Sequence, residues 1–310
     1  MGRYVVRRLL QMIPVFLGTT LLIFLMAYTL PGDPVRAMFG DRGADPATLA
    51  HIRHDLGLDQ PLIKQYWDYL TGMVLHGDFG TQIQSGRPVT DVLSDAFPVS
   101  VRLALIAFGI ELVLGLGLGV FSGLKAGKLR DNAVLLLTLL LISVPVFVLG
   151  FIFKWLFANQ LGWVTPNVQD SMSMSELVLP ASVLAAVSLA YVARLTRTSI
   201  AENLRADYMR TAVAKGLPRR RVVGVHLLRN SLIPVVTFLG TDIGTLMAGA
   251  VVTEGMFNVK GVGYALFDGI QRQEGTTVVG LVTVMVLVYL AFSLIVDLLY
   301  AVLDPRIRYA

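Results

Sequence analysis

The chain has 310 residues, 55% of them hydrophobic and 15% charged, with a mean hydropathy of +0.68 and a formal net charge of +5. Soluble domains carry about 25% charged residues, so 26 basic and 21 acidic side chains, confined to a few segments, exclude a water-exposed globule. The remaining sequence must face lipid or other helices.

A hydrocarbon core of about 30 Å takes about 20 helical residues. The first uncharged run of this length is Leu9 to Leu30. It is too long and starts too late for a cleaved leader, and no small-residue cleavage site follows it. An outer segment of about 65 residues comes next, with five basic against nine acidic residues. Asp45 and Pro46 start a helix there that Gly57 stops; Asp59 and Pro61 start another that Gly77 ends. Leu62, Tyr66, Tyr69, Leu70 and Met73 line one face of the second, which packs either on the spans or on another protein. His51 and His54, with no third ligand nearby in sequence, make a weak metal pair, so no metal site is expected.

The second span, Leu103 to Leu124, carries Glu111. Gly115, Gly119, Gly123 and Gly127 recur every four residues, which sets them along one helical side for close packing. Asn132 to Phe153 is the third span and Leu177 to Ala193 the shorter fourth; Asn230 to Thr253, carrying Asp242, is the fifth and Gly275 to Val296 the sixth. The runs are continuous rather than alternating, which excludes transmembrane strands. Pro14, Pro145 and Pro180 lie where they bend helices. Six spans put both termini on one side. That side holds seventeen basic residues against seven opposite, so the termini are read as cytoplasmic in a multi-pass prokaryotic cell membrane. The same asymmetry accounts for the basic excess without nucleic acid. The expected class is all-α and polytopic, divided into 1–98 (first span plus folded outer segment) and 99–310 (five-helix core with a cytoplasmic loop at about 196–232).

Nine basic residues fall between Arg194 and Arg229. Ile200, Leu204 and Tyr208 keep i, i+4 spacing, which continues the fourth span as helix into the cytosol. Gly216 ends a helix and Pro218 opens another. Small Ala212 and Ala214 before this corner allow close approach of a partner, and Lys215, Arg219, Arg220 and Arg221 add charge. Taken alone, the bases equally set topology and attract anionic lipid.

AspTyrMetArgThrAlaValAlaLysGly at 207–216, HisLeuLeuArgAsn at 226–230 and LeuIlePro at 232–234 resemble the cytoplasmic EAA-type loop of ABC transporter permeases, in the branch importing dipeptides, oligopeptides or nickel. LeuProGlyAspPro at 30–34, LeuGlyLeuAspGlnProLeu at 56–62, GlyAspPheGly at 77–80, AspLeuLeuTyr at 297–300 and AspProArgIleArg at 304–308 extend the likeness over nearly the whole chain. The wider superfamily has Glu where this chain has Arg210, and its Gly-to-Pro distance is shorter than that from Gly216 to Pro234; both departures fit the peptide/nickel branch.

The resemblance implies a type I ABC importer permease fold. It also implies a second homologous permease subunit, two ATP-binding subunits carrying ATP and Mg, and an extracytoplasmic substrate-binding protein. The chain itself is expected to bind no cofactor and to be no enzyme: no GlyxxxxGlyLys followed by Ser or Thr occurs, and Gly127 with Lys128 lacks both the earlier Gly and the hydroxyl. Arg210, Thr211, Ala212, Ala214, Lys215, Gly216 and Arg219 are the implied ATPase-coupling residues. Glu111 and Asp242 either line the solute path, meeting a peptide amino group or a cation, or are neutralised at a helix interface. Lys260, Gly261 and Gly263, in the outer loop from Gly255 to Glu274, are expected to contact the binding protein or its delivered substrate. A secondary transporter lacks a use for the cytoplasmic loop, and an intramembrane hydrolase lacks paired catalytic groups within the spans.

Overall fold

The computed structural model describes residues 2–29, Val35 and residues 45–303. The fragments at 30–34 and 304–308 lie outside the described residues. The chain begins with α1 (Gly2–Thr29), then α2 (Pro46–Asp55), α3 (Leu62–His76) and α4 (Val89–Ile110). A π-helical turn, Glu111–Gly115, joins α4 to α5 (Leu116–Gly123). There follow α6 (Leu129–Ser143), α7 (Val146–Phe153) with a π-helical extension Lys154–Gln160, and α8 (Met174–Asn203). Two short helices, α9 (Asp207–Ala214) and α10 (Arg219–Arg221), lead through a π-helical turn, Val222–Leu227, to α11 (Leu228–Ser231). The chain continues as α12 (Ile233–Phe257), α13 (Val262–Gln271) and α14 (Gly275–Leu303). Among the described residues β-structure amounts to one isolated bridge, Thr81 to Pro88.

Among the described residues four helical stretches are long and apolar enough to cross a membrane: Val5–Tyr28, Val89–Gly123, Met174–Asn203 and Gly275–Leu298. Two bent pairs raise the number to six if each pair is one span. The expected third span is not a straight helix: Leu129–Ser143 and Val146–Gln160 meet at 109°. Pro145 supplies the cause, since it lacks an N–H and forces Val144 out of the helical region, to φ −96° and ψ 127°. The expected fifth span starts at Ile233 rather than Asn230, after a 48° bend against Arg219–Ser231. The boundary expected at 98 falls inside α4.

α8 is the central helix. Two thirds of its most apolar stretch is buried, against 11% for α1, so α8 faces protein and α1 faces outward. The glycine stripe makes this packing close: a Cβ on Gly115, Gly119 or Gly123 would lie 2.9, 2.5 or 2.8 Å from Val192, Thr196 or Ile200 of α8. Those partners are themselves spaced by four, so two helical ridges run together. Gly127 does not extend the stripe; it turns the chain with φ +81°.

α1 packs antiparallel on α14, with Arg8 paired to Asp297 at one end (2.5 Å) and the hydroxyls of Tyr28 and Thr276 3.3 Å apart at the other. α3 lies against both: Tyr66 Oη donates to the Leu17 carbonyl (3.0 Å) and Tyr69 Oη to Thr283 Oγ1 (2.8 Å), while Leu70 and Met73 are buried. The apolar face of α3 read from the sequence therefore packs on the spans. Beyond it, the buried Glu274 carboxylate accepts from the backbone N–H groups of Ile83 and Gln84, both at 2.8 Å, clamping the turn before α4 onto the start of α14.

Candidate functional site

The loop between α8 and α12 is a folded platform. α8 stops at Asn203, and Ala206 takes an extended conformation (ψ 148°) before α9, so Tyr208 sits in a separate helix rather than in a continuation of the span. Tyr208 Oη donates back to Asn203 Oδ1 at 2.5 Å, and Thr211 Oγ1 donates to the Asp207 carbonyl at 3.0 Å. α9 ends as expected: Gly216 takes φ +72°, its N–H donates to Val213, and the Leu217 N–H donates to Ala212. Pro218 then precedes the three arginines of α10.

Met209 and Ala212 turn inward, buried with Ile200, Val222 and Leu227. Ala212 therefore seats α9 on the protein's own core and offers nothing outward. Arg210, Thr211, Ala214, Lys215, Gly216 and Arg219 are exposed, together with Val213 at 64%. Arg210 reaches Asp207 one turn back, 3.7 Å away, at full solvent contact where such a pair contributes little. The surface thus combines an apolar side chain, a short side chain, a left-handed glycine and the three separated cations Arg210, Lys215 and Arg219 on a folded backing.

Beneath the platform lies a network absent from the sequence reading. Asp131, at the start of α6, is fully buried and receives Arg197 of α8 through Nε (3.0 Å) and a terminal guanidinium nitrogen (2.7 Å). Ser122 Oγ and the Gly127 N–H, the latter at 2.7 Å, also donate to it. The two partners stand 66 positions apart, so no local spacing signals the pair. A cavity of about 410 Å³ opens beside it, lined by Gly127, Arg197, Thr198, Glu202 and Arg205.

The two intramembrane acids come together. Glu111 is fully buried and Asp242 nearly so; the two carboxyl groups are direct neighbours, and Ser188 Oγ donates to Asp242 Oδ1 at 3.1 Å. Neither lines this cavity or an apolar space of about 370 Å³ between the first π turn, α6, α7 and α8. On the opposite side of the bundle, Lys260 is exposed and its ammonium lies 3.7 Å from the Tyr264 ring centre. Gly261 and Gly263 are buried: a Cβ would lie 2.4 Å from Ser100 Oγ or from the Val251 backbone. Ser100 Oγ donates to Glu254 (2.6 Å) and accepts from the Val262 N–H (2.8 Å), fixing the start of α13 on α12.

Among the described residues no group of three His, Cys, Asp or Glu side chains is placed to hold a metal. His51 and His54 each face a carboxylate of their own, Asp55 and Asp59, both at 2.8 Å. The Asp59 hydrogen bond, and then its charge, holds the His54 ring above its ordinary value.

The chain is similar to known proteins along its whole length. Residues 115–309 match the family model described as "Binding-protein-dependent transport system inner membrane component", and residues 1–104 match its N-terminal companion, "Binding-prot-dependent transport system membrane comp, N-term". The chain is 39% identical to the Di/tripeptide transport system permease protein DppB of Pseudomonas aeruginosa, over 99% of this chain and 98% of that one. It is 37% identical to the Dipeptide transport system permease protein DppB of Escherichia coli K12, over 100% and 99%. It is 38% identical to the Glutathione transport system permease protein GsiC of Salmonella choleraesuis, over the full length of both.

Proposed function

We propose a function from the premise that this chain belongs to the family of binding-protein-dependent transport system inner membrane components. It is the membrane-spanning permease subunit of an ATP-driven importer of short peptides, and it forms half of the pathway. A second, homologous permease completes that pathway, two separate subunits bind ATP and Mg, and an extracytoplasmic protein delivers the peptide. The termini and the platform face the cytosol, as the distribution of basic residues favours.

The observation that carries the coupling role is the seating of α9. Met209 and Ala212 anchor it to the end of α8, while Arg210, Thr211, Val213, Lys215 and Gly216 remain exposed. A push on that face passes into α8, the helix on which α4, α5, α6, α7 and α12 all pack. Closure of the ATPase pair then shifts the spans as packed units, and hydrolysis resets them. On the outer side, exposed Lys260, Phe267 and Ile270 flank the start and body of α13 and are the surface offered to the binding protein.

Short peptides are favoured as cargo by the names of the full-length relatives. The match to the glutathione permease runs over 309 positions, almost this chain's own length, whereas those to the two DppB proteins run over 332 and 338 and require insertions. On this reading the cargo is a peptide of two or three residues. The test is purification of the tagged chain with its companions, reconstitution in liposomes with the delivery protein, and measurement of ATP-dependent uptake of labelled di- and tripeptides against nickel. Peptide uptake that needs all components supports the reading; uptake by this chain alone, or of nickel only, overturns it.

A further inference from the structure

Glu111 and Asp242 pose a problem of charge that the transport reading leaves open. Both lie within the spans, Glu111 with no solvent exposure and Asp242 with 5%. Three of their four carboxyl oxygens, both of Glu111 and Oδ2 of Asp242, are buried without a hydrogen-bond donor. The fourth accepts from Ser188. Two ionised carboxylates cannot sit side by side in so dry a place, because each opposes the other's charge and neither is solvated.

Among the described residues no neighbouring element brings a cation to them. On α4, Arg102 is about 13.5 Å along the helix from Glu111 and donates to the Met172 carbonyl. On α8, exposed Arg194 is about 9 Å along the helix from Ser188. On α12, Glu254 lies three turns further on and is held by Ser100; on α7's extension, Lys154 donates to the Met256 carbonyl. α14, packed on α12, brings the Tyr289 ring against Gly244 and holds Asp297 to Arg8. The first π turn begins at Glu111 itself, and such turns recur at functional positions in helices.

We propose that Glu111 and Asp242 form an intramembrane proton-binding site, in which one proton shared between the two carboxyl groups supplies the missing donor. Solvent is the source of the proton. With it in place, one carboxyl donates to the other, Ser188 donates to Asp242, and the pair carries one negative charge instead of two. The site joins α12 to the junction of α4 and α5, with α8 contributing Ser188. Water reaching the pair, as it would if α12 moved away from α4, solvates both carboxylates and releases the proton. The site thus reports, and resists, separation of these spans.

The test is infrared spectroscopy of the full-length protein in lipid bilayers at about pH 7, well above the ordinary carboxyl range. The wild type should show the carbonyl stretch of a protonated carboxyl group, and Glu111→Gln and Asp242→Asn should each lose it, since a neutral amide donates to the remaining carboxylate. Two substitutions guard against one failing to fold, and size exclusion with thermal melting identifies a folded variant. A wild-type spectrum in which neither substitution removes a protonated-carboxyl band overturns the proposal. So does a band that disappears when sodium replaces choline in the buffer, which assigns the site to a metal cation.

Discussion

Arg197 grips Asp131 with two hydrogen bonds, 3.0 and 2.7 Å long, and so fastens the start of α6 to the platform end of α8. The aspartate side chain is 1% exposed and the arginine 26%, so this is an internal pair and not a surface one. Arg197→Ala leaves a buried carboxylate with only Ser122 and the Gly127 N–H, and should cost about 3 kcal/mol. The purified protein should melt at a clearly lower temperature, with Arg197→Lys in between. Adding Asp131→Asn to Arg197→Ala should recover part of the loss, because the stranded charge is then gone. Exposed Arg194→Ala should melt like the wild type.

Gly119 and Gly117 are near neighbours with opposite surroundings. An added Cβ at Gly119 would sit 2.5 Å from Thr196 and 2.7 Å from the Ala193 carbonyl oxygen, whereas at Gly117 nothing lies within 4 Å. Gly119→Ala should therefore push α5 off α8 and destabilise by about 1–3 kcal/mol. Gly117→Ala should be neutral or slightly stabilising, since alanine is the better helix former by up to about 1 kcal/mol. Melting of the two variants side by side checks this; equal stability would show that α5 and α8 do not pack through this stripe.

Gly216 has open space around its α-carbon, so any penalty there arises from the left-handed backbone alone. Gly216→Val should strain the corner by about 1–2 kcal/mol and tilt α9. Gly216→Asn, which tolerates that conformation, should keep most function. The expected result is loss of peptide uptake and of substrate-stimulated ATP hydrolysis for Val, near-normal values for Asn, and normal membrane insertion for both.

Much of this was readable in the residues. The charge-free runs mark the spans, Gly77 and Gly216 mark helix ends by their left-handed conformations, and the glycines spaced by four mark the close face of α5. Three kinds of feature were not. The bend at Pro145 was legible but not its size, 109°, because a proline inside an apolar run reads equally as a mild kink or a break. The separation of α9 from α8 was hidden because Ile200, Leu204 and Tyr208 keep helical spacing across a turn. Pairs distant in the chain, Asp131 with Arg197, Ser100 with Glu254 and Glu111 with Asp242, leave no local pattern. Ala212 shows the remaining difficulty: a small residue beside a glycine serves a partner's approach or the chain's own core, and here it is buried with Met209.

The central claim is that the exposed face of α9 is where this chain receives the ATPase. The chain has no cysteine, so single replacements report without interference. Thr211→Cys and Val213→Cys, on the exposed face, and Met209→Cys, on the buried one, are to be labelled, in the complex purified from membranes, with a short reagent that is thiol-reactive at one end and photoreactive at the other, and then illuminated. The account predicts that the two exposed positions crosslink to an ATP-binding subunit, that ATP changes the yield, and that Met209→Cys gives no product. Crosslinking of the exposed positions to lipid-side or outer partners only, or equal yields at all three, would contradict it.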